Sequence, residues 1–185
     1  MSKDDGLPEE PKASISLYEF YAIGIERLLE KAPWELERAV SAYHESFLTE
    51  QRCLGLAILL LIGEDHVPTQ LIRAQAMPGF EDQTRASVNQ AVFLRALKHY
   101  FKAKNLNAVR AEMVLERMQS YLNDSRQANE QGKSPLEAML HTVVRRVPPQ
   151  GDAQWEQYAV RVEKIYDYIE GLVEKGLLKR YTVAP

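Results

Sequence analysis

Apolar residues are arranged in two ways along this chain. Between Cys53 and Gly63 the run C-L-G-L-A-I-L-L-L-I-G leaves no polar stripe on any side of a helix, whereas the segments around it carry apolar residues on one face only. A helix that is apolar all round must be buried all round. The run therefore predicts a central core helix, and the amphipathic segments predict its cover. The fold class implied is all-α: a single-domain bundle of about six to eight helices around a buried central helix near 50–63. A bilayer is excluded as the burying medium, because the run is about half of the roughly 20 residues a span requires.

The covering elements can be placed from their caps and stripes. Residues 1–13 carry little apolar surface and are expected to form a flexible tail ahead of a helical domain over 14–185. Ser16-Leu17-Tyr18-Glu19 has the spacing of a capping box, in which serine and glutamate side chains satisfy opposite backbone donors. It predicts a helix to about Lys31. Pro33 suits the first turn of a second helix over 34–48, which either joins the core helix or gives way to a fresh start at Thr49. Residues 64–69 are expected to turn, with a short helix from Gln70 to Met77 closed by Pro78-Gly79.

Longer helices are expected over 84–104 and 107–130, the second ending at Gly132. Ser134-Pro135-Leu136-Glu137 combines a cap, a first-turn proline and an acid at the third position, and predicts a helix up to Pro148-Pro149. The last helix is expected to be capped by Asp152 and stopped by Gly176. Its stripe includes Tyr158, Val162, Ile165, Ile169 and Val173. Only residues 180–183 alternate like a strand, and they are too few to make a sheet alone.

Composition adds few constraints. With 185 residues, 45% hydrophobic and 26% charged, the chain is ordinary for one globular domain. Cys53 is the only cysteine, which excludes an intrachain disulfide and a zinc site of several thiolates. Its place inside the apolar run makes it a small core residue. The opening M-S-K-D-D-G-L-P-E-E lacks the basic start and apolar stretch of a secretory signal, so a cytoplasmic location is expected.

Familiar chemistry is missing from the sequence. There is no Glu-x-x-His pair for a di-metal bundle, no His-Glu-x-x-His, no phosphate-binding glycine loop and no Gly-x-Ser-x-Gly elbow. Glu64-Asp65-His66 offers three adjacent metal-ligand types, but neighbouring residues need not converge, and no metal, cofactor or catalytic residue is assigned. Arg38 and His44 have the spacing of the Arg-x4-6-His pattern and so resemble the helical HEPN ribonucleases. Chance supplies about one such match in a chain of this composition, so a surface pair is the reading adopted.

Charge is where the picture changes. Residues 1–82 hold 7 Lys/Arg against 15 Asp/Glu, Gln83 to Ala111 holds 6 against none, and the remainder holds 10 against 11. Within the basic island Phe93, Leu94, Leu97, Tyr100 and Phe101 share one helical face, leaving Arg95, Lys98, His99 and Lys102 on the other. Lys104 and Arg110 follow near its end. These six residues are the candidate surface for an anionic partner, and Arg145, Arg146, Lys179 and Arg180 are secondary basic candidates.

The segment Leu172-Val173-Glu174-Lys175-Gly176-Leu177-Leu178-Lys179-Arg180-Tyr181 resembles the end of a winged-helix recognition helix turning into its first wing strand. That resemblance implies nucleic-acid contact. The expected function is a non-enzymatic helical interaction or regulatory module with a protein partner or a second copy of itself. A nucleic-acid-binding regulator using the 95–110 face is the alternative, and an enzyme of unrecognised class is the third reading.

Overall fold

The computed structural model describes residues 12–31, 43–66 and 83–184. Within them the chain forms a short strand β1 (Ala13–Ser16), helix α1 (Leu17–Glu26) running into a π-helical turn (Arg27–Lys31), and α2 (Tyr43–His66). Helices α3 (Gln83–Ala103), α4 (Ala108–Glu130), α5 (Pro135–Arg146) and α6 (Asp152–Gly171) follow. A second π-helical segment (Leu172–Leu177) leads to β2 (Tyr181–Ala184). The all-α bundle expected from the pattern is the architecture found. The expected helix over 70–77 and most of that over 34–48 lie outside the described residues.

Helix α2 is the hub. It packs against α1, α3, α4, α6 and both π-helical segments, and α5 closes the outside against α4 and α6. Leu54, Leu56, Ala57, Ile58, Leu59 and Leu60 are buried on every side of it. Each such aliphatic side chain contributes roughly 1.5–3 kcal/mol by leaving water. No described helix is long and apolar enough to cross a membrane.

The caps match their spacing. Ser16 and Glu19 form the reciprocal capping box, with the Glu19 backbone N–H donating to Ser16 Oγ and the Ser16 N–H to the Glu19 carboxylate. Asn107 caps α4 through its side chain, and Ser134 caps α5 with Pro135 in the first turn. Gly132, at φ +67°, ends α4: its N–H reaches Asn129 O and the Lys133 N–H reaches Ala128 O, a turn that requires the left-handed conformation.

Three expectations need correction. Asp152 does not cap α6; Gly151 occupies that place, and the Asp152 carboxylate instead sits in the first turn, where it complements the helix dipole. Gly176 does not stop the chain's last helix, which continues through it as a π-helical segment to Leu177. Gly63 does not precede a turn either, because α2 runs through it to His66.

The reason at Gly63 is steric rather than conformational. A Cβ there would lie 2.7 Å from the Tyr21 ring and hydroxyl, so glycine lets α1 lie against α2. Tyr21, fully buried, then donates from its hydroxyl to Asn89 Oδ1 at 2.6 Å and packs edge-on against Phe93. Gly63→Ala should therefore destabilise by about 1–2 kcal/mol, since overpacking outweighs the gain in helix propensity. A urea-unfolding midpoint equal to or above wild type would contradict this contact.

The last strand finds a partner far along the chain. β2 pairs in parallel with β1, Ala13 opposite Tyr181 through Ser16 opposite Ala184. The Lys12 ammonium donates to Leu178 O at 3.0 Å beside it.

Candidate anion-binding face

Helix α3 is held on α1 by the face carrying Phe93, Leu97 and Phe101, all buried. That packing turns Arg95, Lys98, His99 and Lys102 outward, and all four are exposed. Two of them are steadied by α1. The Arg95 guanidinium lies 5.0 Å from the centre of the Tyr18 ring, a cation–π arrangement. His99 Nδ1 is 2.5 Å from the Tyr18 hydroxyl, with the two rings stacked.

Among the described residues, Lys104 is the one member of the set that an acid neutralises. Its ammonium is 2.6 Å from Glu30 Oε1, and the Tyr100 hydroxyl donates to the same oxygen at 3.3 Å. The hydrogen bond from Lys104 holds the Glu30 carboxyl below the usual range, and the same bond raises the Lys104 ammonium. Lys98, Lys102 and Arg110 form no ion pair among the described residues.

The secondary basic candidates do not extend this face in one piece. Arg145 is tied to Asp124 at 2.9 Å, and the same carboxylate accepts from Thr142. Arg146 turns inward, its Nε 3.9 Å from Glu50. Lys179 and Arg180 are exposed in the turn before β2. The segment that resembles a wing is thus a π-helical end and a strand paired in parallel with β1, where a wing would return as an antiparallel hairpin.

Glu64, Asp65 and His66 do not converge. Glu64 accepts from Arg126 of α4 at 2.9 Å, while His66 Nε2 lies 3.4 Å from Glu174 near the chain's end. Among the described residues no group of three or more His, Cys, Asp or Glu is placed to hold a metal. Arg38 lies outside the described residues, as does the His44 side chain.

Sequence reasoning missed a buried charge cluster. Glu50, the acid three residues before Cys53, is 1% exposed. Its carboxylate meets Arg117 at 2.5 Å and accepts from the Tyr121 hydroxyl at 2.7 Å. The available signal was positional: Glu50 stands three and four residues before Cys53 and Leu54, on the same helix face, and so extends the apolar stripe inward.

Cys53, one turn along, is fully buried, and burial followed by the Glu50 charge pushes its thiol up to about 12. Folding thus keeps the thiol protonated. The stability it confers is complete below the thiol's ordinary value near 9 and is lost as pH rises towards about 12. Native protein at pH 8 should take up almost no maleimide, whereas denatured protein should take up one equivalent. Full labelling without unfolding would contradict its placement.

Arg52, exposed on α2 two residues after Glu50, was also passed over. With Lys104 and Arg110 it rims a cavity at the end of the cationic face. Compared with known proteins, the chain matches no family model, no curated protein and no solved structure.

Proposed function

We propose that this chain is a non-enzymatic helical interaction or regulatory module whose α3 face docks an acidic protein surface. The observation that supports the reading is a division among its cations. Arg117, Arg126, Arg145 and Arg146 turn towards carboxylates of the fold. Lys98, Lys102 and Arg110 are left to solvent on and beside one rigid helix, with Arg95 and His99 steadied on Tyr18. A short stripe of this kind suits steering and registering an acidic patch.

A protein surface is favoured over nucleic acid because Arg145 and Arg146, which would have widened the basic footprint, are engaged with Asp124 and Glu50. The rest of the chain is acidic enough to give a net charge of -3, which repels a long polyanion. The test is affinity capture from the native host, comparing wild type with Arg95→Glu/Lys98→Glu/Lys102→Glu in nuclease-treated and untreated lysate. A protein retained by wild type, lost by the variant and indifferent to nuclease is the expected result. Nucleic acid in the wild-type eluate, or identical eluates from both proteins, would overturn the reading.

A further inference from the structure

At the end of the α3 face a cavity of about 570 Å³ opens between the π-helical turn after α1, α2, the end of α3 and the start of α4. That falls within the roughly 300–1,000 Å³ typical of small-molecule sites. Leu56, Phe101 and Val114 form apolar walls, and Arg52, Lys104 and Arg110 stand at the rim. Glu30 offsets the charge of Lys104. Arg52 and Arg110 have no carboxylate partner among the described residues. Two guanidiniums without a carboxylate partner among the described residues, beside an apolar hollow, call for a ligand with an acidic head and an apolar body.

We infer that this cavity binds a small amphipathic anion, such as a medium-chain carboxylate. The apolar chain lies against Leu56, Phe101 and Val114, where it leaves water. The head group accepts hydrogen bonds from Arg52 and Arg110, which approach from two different helices. Guanidinium forks suit a planar carboxylate in particular, because two parallel N–H donors match its two oxygens. The site rests on reading Lys104 and Arg110 as part of an anion-facing surface, but Arg52 and the apolar walls belong to it alone.

The test is calorimetric titration of the full chain with dodecanoate, hexanoate and dodecyltrimethylammonium, each below its micellar concentration. Wild type is expected to bind dodecanoate at one site, hexanoate more weakly, and the ammonium not at all. Arg52→Ala/Arg110→Ala changes only exposed side chains and should weaken dodecanoate about tenfold or more, the range for lost hydrogen bonds to a charged group. Val114→Trp should fill the hollow and abolish binding.

Equal binding of the ammonium and the carboxylate would overturn the inference, as would dodecanoate affinity unchanged in the arginine variant. The Lys98→Glu/Lys102→Glu variant separates the two readings. It should lose the protein partner and keep dodecanoate, so failure of partner capture leaves the cavity's result to stand or fall by itself.

Discussion

Leu59→Asp is expected to abolish folding. Leu59 is fully buried, and its methyl groups lie 3.2 and 3.3 Å from where a Cβ on Gly24 of α1 would stand, so the side chain fills the seam between two helices. A carboxylate there finds water on no side, and an uncompensated charge costs more than the roughly 5–15 kcal/mol by which a domain is stable. Truncation to alanine is milder, at about 2–5 kcal/mol. Val160, 47% exposed on α6, supplies the control, since Val160→Asp should change stability by no more than about 0.5 kcal/mol. Soluble Leu59→Asp protein with a cooperative melt would show that α2 is not the hub.

The second large effect is at Glu50. Glu50→Ala should cost about 3–5 kcal/mol, the range for removing one partner of a buried ion pair. It strands the Arg117 and Arg146 guanidiniums, each with about a quarter of its side chain exposed, and leaves the fully buried Tyr121 hydroxyl without its acceptor. Burial, followed by the Glu50 charge, raises the Tyr121 phenol, so that hydroxyl stays a donor at any ordinary pH. Because the cluster joins α2 to α4 and α5, its loss should lower the urea midpoint without changing the slope.

The partner variants sharpen the point. Glu50→Leu/Arg117→Met/Tyr121→Phe removes the two nearest stranded groups, leaving only the part-exposed Arg146, and should recover much of the loss, because replacing a whole buried pair by apolar residues is often close to neutral. If the single and triple variants were equally unstable, packing volume rather than charge would be the cause. The cluster is structural in this account, and its arginines are therefore unavailable to a partner.

Local signals carried the elements. The Ser16 and Ser134 caps, the Gly132 stop and the α3 face division all rest on neighbours within one or two turns, which a sequence displays directly. Long-range contacts were not legible. Nothing near Ala13 announces that it will pair with Tyr181, and nothing near Gly63 announces the Tyr21 ring. Glycine after an apolar run reads as a stop, yet here it marks a close approach of two helices.

The candidate site divides the same way. Arg95, Lys98, His99 and Lys102 were visible because helical periodicity alone puts them on one side of α3. That Lys104 would be neutralised by Glu30, and Arg146 drawn to Glu50, depended on elements far away in sequence. Arg52 escaped notice for the same reason, since only the fold brings it to Arg110.

The central claim is that the lysines of the α3 face serve a partner and not the fold. It is tested most directly by the equilibrium stability of Lys98→Glu/Lys102→Glu in urea. Both side chains are exposed and form no ion pair among the described residues, so the account predicts a stability within about 0.5 kcal/mol of wild type. A loss of about 2 kcal/mol or more would contradict it, because those charges would then be holding the bundle together.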